Sequence, residues 1–139
     1  MAQPLSVSEA EAAVDVALGY GNKYYSSSLY AYVVFRGVKK YYSYYYWYCM
    51  HLTQHGNFAP YAYIYFKAPT TGWYTINVRA WGTKAYIRHL GATVANWNFS
   101  SYNWNDFVTM QYLEAGFHCF WWYPDQTSVY VKSVKIASY

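Results

Sequence analysis

The chain has 139 residues, enough for one domain with one real core. Apolar types make up 55% of it, aromatics 25% and charged residues only 12%, with 21 tyrosines. An ordinary soluble domain carries roughly 25% charged residues. This many rings with this little charge excludes a disordered chain. It favours a surface made for contact, because Tyr packs its ring while its hydroxyl stays hydrogen-bonded. The formal charge of +4 is unevenly spread: Glu9, Glu11 and Asp15 give residues 1–19 a charge of −3, and the remainder sums to +7. The organisation expected is an acidic arm over 1–19 and a basic body over 20–139.

In chain order, Ser8 with Glu11 fits a capping box, Val14 and Leu18 share a helical face, and Gly19 suits a helix end. A short helix over 9–18 is the first expectation. The alternative is an extended arm in which Val14, Val16 and Leu18 alternate with Asp15 and Ala17 and add a strand to another sheet. No basic start and greasy core mark a secretory signal, and no run of 18 apolar residues predicts a membrane span.

After a Gly/Ser/Tyr linker over 19–28, strand-like runs follow at 29–36, 41–52, 61–67, 73–81, 84–90, 93–99, 106–113, 117–123 and 128–136. Turn formers separate them, among them Gly37, Gly72, Gly82, Gly91, Ser100-Ser101 and Gly116. Eight or nine short strands with no helix between them predict an all-β chain, an antiparallel sandwich or jelly roll. The run Tyr74, Ile76, Val78, Ala80 against Trp73, Thr75, Asn77, Arg79, Trp81 has the two-residue period of a half-buried strand. With Tyr61–Lys67 before it and Pro69 and Gly72 between, it reads as the second arm of a hairpin. Residues 41–48, YYSYYYWY, carry rings on both faces. One face must meet the core and the other a partner, a loop or a ligand, unless the hydroxyls simply keep it wet. Lys39 and Lys40 stand as gatekeepers before it.

From Phe66 onward three motifs carry a family likeness. They are the stretch Ala68–Ala80 with its Pro, Gly-Trp-Tyr and alternating tail, Leu113-Glu-Ala-Gly-Phe-His118, and the closing run Val129–Ile136. Together they resemble the galactose-binding-like jelly rolls, the group that holds many carbohydrate-binding modules. The resemblance implies a jelly roll and allows sugar binding. It departs at the calcium site common in that group, since no acidic residue lies between Gly19 and Phe66.

The candidate binding residues are Asn96, Trp97 and Asn98, then Tyr102, Asn103, Trp104 and Asn105. Amides beside flat indoles suit a sugar's hydroxyl rim and its apolar C–H face. The plainer alternative is a turn-rich loop whose amides serve its own backbone while its tryptophans plug the sandwich end. Cys49 and Cys119 allow one disulfide, which would stabilise by about 4 kcal/mol in the chain-entropy model, or are two buried thiols. Histidines 51, 55, 89 and 118 are scattered, so neither a metal nor another cofactor is expected. No acid pair or nucleophile–base set stands out, and the dispersed Lys and Arg argue against nucleic acid. The chain is therefore expected to be no enzyme. The first expectation of function is a self-assembling structural subunit, a virion coat or extracellular filament protein. It would form homo-oligomers through Tyr-rich faces and the arm residues Val14, Val16 and Leu18. The alternative is a carbohydrate-binding or adhesin module.

Overall fold

A computed structural model describes residues 32–42 and 49–138. The arm with Val14, Val16 and Leu18, the helix expected over 9–18 and most of the tyrosine run lie outside the described residues. Within them the chain is all strand: β1 Tyr32–Arg36, β2 Val38–Tyr42, β3 Cys49–Thr53, β4 Tyr61–Ala68, β5 Gly72–His89, β6 Ala92–Leu113, β7 Gly116–Tyr123 and β8 Ser128–Ser138. Every pairing between named strands is antiparallel. This is the sandwich that the alternating runs predict.

Two layers share one long hairpin. The first layer runs β2-β3-β8-β5-β6 and uses the early part of β5, Tyr74–Trp81 against β8. The second runs β1-β4-β7-β5-β6 and uses the late part, Tyr86–His89 against β7. β5 and β6 therefore turn the corner between layers together. At that corner the register slips: Gly82 faces Asn103 while Lys84 faces Asn98, so Thr83 on β5 opposes four residues, Phe99–Tyr102, on β6. A bulge of this kind bends both strands and lets a ladder continue into a second sheet. The inward set on β5 shifts with it, from Tyr74, Ile76, Val78 and Ala80 to Ala85 and Ile87.

The core between the layers comes from alternate positions of both. Val33, Phe35, Ile64, Phe66, Phe120 and Trp122 face inward from the second layer, and Met50, Leu52, Ile76, Val78, Val131 and Ile136 from the first. Each is at most 4% exposed, so the two inner faces pack directly against each other.

Three expectations change. The run 41–52 is not one strand, because β2 and β3 are antiparallel partners, Tyr42 opposite Cys49. β4 and β5 are not a hairpin, because β4 pairs with β1 and β7 in the second layer while β5 begins in the first. The 69–71 connection crosses between layers, held by a mutual hydrogen bond between the Tyr74 hydroxyl and the Thr70 backbone. Finally, Gly82 and Ser100-Ser101 mark the bulge and not chain reversals, so runs 73–81 and 84–90 are one strand, as are 93–99 and 106–113. The true reversal is at Leu90-Gly91, both at positive φ (53° and 78°) between the paired His89 and Ala92. That is the two-residue turn whose twist matches a hairpin.

Candidate functional site

The corner bulge decides where the Asn- and Trp-rich residues go. Trp97 pairs with buried Ala85 and so faces inward. Its ring meets Phe107 edge-on at 5.6 Å, and its indole N–H donates to the Val108 carbonyl at 3.2 Å. Phe99 also meets Phe107 edge-on, at 5.1 Å, and the two rings close the open side of the sandwich. Asn105 donates to the Gly82 carbonyl at 2.7 Å and to the Ser101 carbonyl at 3.2 Å, tying the bulge together. Asn103 accepts the Trp104 backbone N–H at 2.8 Å. Asn96, Asn98 and Tyr102 are exposed. Trp104 lies on the outer face of the first layer beside its partner Trp81 (5.7 Å, 78° between planes), with the Lys132 ammonium 5.1 Å from its centroid. The two tryptophans of the repeated motif thus lie on opposite faces of β6.

A second constellation, assembled from strands far apart in sequence, occupies the outer face of the second layer. β4 contributes Tyr61, Tyr63 and Tyr65, β7 contributes Trp121 and Tyr123, and β5 contributes Tyr86. Register brings them together: Tyr63 faces Trp121, Tyr123 faces Tyr86, and Tyr86 faces Asn96. The planes of Tyr61 and Trp121 are 11° apart at 6.1 Å, Trp121 and Tyr123 21° apart at 6.3 Å, and Tyr86 and Tyr123 18° apart at 4.9 Å. Tyr63 braces this row edge-on against Trp121 at 4.1 Å. All six rings are half-buried, as rings packed side by side on a sheet surface must be.

Polar groups stand at both ends of the row. The Arg36 guanidinium lies 5.7 Å from the Tyr63 centroid, a cation–π contact. Beyond it an open depression of about 440 Å³ is lined by Arg36, Gly37, His55, Phe58, Ala59 and Tyr61. At the other end a smaller one of about 230 Å³ is lined by Arg88, Gly91, Trp121 and Tyr123. The rings span three strands, β4, β7 and β5, about 10 Å at the usual strand spacing, and Arg36 on β1 and Asn96 on β6 extend the face to about 19 Å. No acidic residue occurs in the strand segments that build this layer. Burial, then a hydrogen bond with Tyr61, holds the Tyr63 phenol above its ordinary value, and burial, then Tyr86, does the same for Tyr123. Both remain neutral hydroxyls through the physiological range.

The outer face of the first layer is more closed. His51 stacks on Tyr130 (4.1 Å, 6°) and its Nε2 pairs with the Ser128 hydroxyl at 2.7 Å. Arg79 and Asp106 form an ion pair at 2.9 Å.

The cysteines are on different layers, Cys49 on β3 and Cys119 on β7, and both thiols are free in this structure. Burial pushes the Cys49 thiol up to about 11 against a smaller opposing pull from Lys132. Burial also raises Cys119, offset in part by hydrogen bonds from Tyr65 and Trp121. Neither is an activated nucleophile. Two histidines that the sequence shows as scattered do meet: His89 Nε2 lies 3.1 Å from His118 Nδ1, and His118 Nε2 lies 2.7 Å from the Glu114 carbonyl. With His118 donating from Nε2, its Nδ1 accepts the His89 N–H. Among the described residues no three metal-ligating side chains cluster.

No protein-family model matches the sequence, and no curated protein sequence does. Solved structures do share the fold. A family 35 carbohydrate binding module from an environmental isolate superposes with a TM-score of 0.55 at 13% identity, over 73% of this chain and 82% of its own. Another family 35 module, from Clostridium thermocellum, gives 0.51 at 14% identity over 97% and 98%. The Podospora anserina GH26-CBM35 β-(1,4)-mannanase gives 0.52 at 10% identity over 84% of this chain, which spans only 27% of that enzyme. At these identities the likeness is one of fold, a jelly-roll β-sandwich shared with those modules.

Proposed function

We propose that the chain is a non-enzymatic carbohydrate-binding module that holds a glycan chain across the outer face of its second layer. Tyr61, Tyr63, Trp121, Tyr123 and Tyr86 supply ring surface for pyranose C–H faces. Arg36, Arg88 and Asn96 supply hydrogen bonds to hydroxyls at the two ends. The observation that carries this reading is the row of nearly parallel, half-exposed rings contributed by three strands. With Arg36 and Asn96 beyond its ends the face is about 19 Å across, which suits an oligosaccharide better than a single sugar. The solved likenesses support it, because two of them, each matched over most of its own length, are carbohydrate-binding modules. None of the similar structures named above is a coat or filament subunit, and the carbohydrate reading therefore replaces the assembly reading as the first choice.

The test is retention of the full chain in gels or on beads carrying soluble mannan, xylan, β-glucan, dextran and pectin. At least one polysaccharide should retard the wild-type chain, and Trp121→Ala and Tyr61→Ala should each abolish that retardation when measured below their melting transitions. No retention by any member of the panel, or full retention by both variants, would overturn the proposal.

A further inference from the structure

The C-terminal half of β6 is an edge without the usual defences. β6 pairs with β5 alone, so among the described residues its other side has no strand partner. From Asn103 to Leu113 the pairing with β5 runs unbroken, an edge about 35 Å long with no bulge to twist it away. That stretch contains no Lys, Arg, Pro or Gly. Its one charge, Asp106, is paired with Arg79 at 2.9 Å. The opposite outer strands differ, since β1 ends in Arg36 and β2 carries Lys39 and Lys40. Long, flat, uncharged edges are those that pair with another chain.

The side chains beside this edge are apolar and solvent-facing. Val108 is 49% exposed, Met110 44% and Tyr112 60%, and Trp73 on β5 stands edge-on to Tyr112 at 5.4 Å and is itself 48% exposed. They form one stripe along the strand. The Val108 carbonyl already accepts the Trp97 indole, and it keeps a second lone pair for an incoming N–H.

We infer that two copies of this chain associate edge to edge through residues 104–112 of β6, antiparallel about a two-fold axis. A strand set against itself is self-complementary when its charges avoid one another. Centred on Thr109, the pairing puts Val108 opposite the partner's Met110, Asp106 opposite the partner's Tyr112 and Trp104 opposite the partner's Glu114. Only apolar or mixed pairs result. Shifting the centre to Met110 sets Asp106 against the partner's Glu114, a like-charge pair that disfavours that register. The first layers of the two copies then join into one ten-stranded sheet, five from each. The aromatic rows, on the second layers, stay uncovered, so the pair presents two of them and gains avidity on a repeating polymer. The association itself does not depend on any glycan.

Sedimentation of the full chain over a concentration series tests it, alongside Met110→Lys and Val108→Lys, which place a charge on exposed positions and spare the core. Wild type should move from 16.3 kDa towards twice that mass as concentration rises. Both variants should stay monomeric at concentrations where wild type is paired, with the melting temperature of dilute, unpaired wild type. The amides of 104–112 that point away from β5, every second one, should exchange slowly in the dimer and fast in the variants. A wild type that stays at one chain mass overturns the inference, as do variants that pair as well as wild type. Slow exchange, in a monomer, of those amides that point away from β5 does so too, because the chain's own remaining residues would then cover the edge.

Discussion

Replacing Trp97 separates its two readings, ligand-stacking residue and sandwich plug. Its ring packs against Phe107 at 5.6 Å and its N–H reaches the Val108 carbonyl at 3.2 Å, but the residue is only half-buried. Removing a fully buried Trp or Phe side chain costs about 3–5 kcal/mol, and partial burial brings the packing loss to about 2–3 kcal/mol. The hydrogen bond adds about 1 kcal/mol at most, since water can reach an edge carbonyl once the indole is gone. For a chain of this length each kcal/mol moves the midpoint by roughly 3–5 °C, so Trp97→Ala should melt about 10 °C lower. Trp97→Phe keeps the ring and loses only the donor, and should melt about 4 °C lower. Thermal melts followed by near-ultraviolet circular dichroism read the loss, and polysaccharide retention is measured below the transition. Both variants should still bind whatever wild type binds. If Trp97→Ala costs no more than an ordinary surface substitution, about 0.5 kcal/mol, and abolishes retention, the ring faces a ligand and the corner packing is wrong.

Gly37 joins the two layers between β1 and β2 at φ 128°, where a Cβ would sit 2.7 Å from the Thr53 carbonyl oxygen. Gly37→Ala should therefore lose about 2–3 kcal/mol in urea unfolding with the slope unchanged, and a loss below about 0.5 kcal/mol would refute that geometry. His89 has its pKa lowered from the ordinary 6.5 by burial and then by His118. The folded state thus binds fewer protons than the unfolded one between the lowered value and 6.5. Stability is present above that window and falls as pH drops through it. His89→Gln should flatten the fall, leaving the part that comes from His51, which burial and then Lys40 also lower. A stability profile from pH 5 to 8 that is the same in wild type and variant would show that the pair plays no part.

What the sequence shows of this fold is its period, and what it hides is partnership. Tyr74, Ile76, Val78 and Ala80 announce a half-buried strand because side-chain alternation is local. Which strand lies beside it is a long-range fact, and Pro69 and Gly72 suit a crossing between layers as well as a hairpin. The corner left a readable trace: inward positions are even up to Ala80 and odd from Ala85, as one inserted residue would make them. Glycine and serine at the corner look the same in sequence whether the chain reverses or merely bulges, and there the expected turns misled. The repeated Asn-Trp-Asn motif has a similar history. Its tryptophans are seven residues apart, an odd number, and an odd separation along a strand sets side chains on opposite faces. Trp97 inside and Trp104 outside follow from that arithmetic once β6 is known to be one strand. The aromatic row lay beyond such arithmetic. Tyr61, Tyr63 and Tyr65 could be read as one face of β4, but their meeting with Trp121, Tyr123 and Tyr86 depends on β4–β7 and β5–β7 registers that no local pattern encodes. A binding face made by register, and not by a motif, becomes visible only when the sheet is assembled. For that reason the substitutions that probe it best, Tyr61→Ala and Trp121→Ala, lie outside the stretch where the sequence alone directed attention.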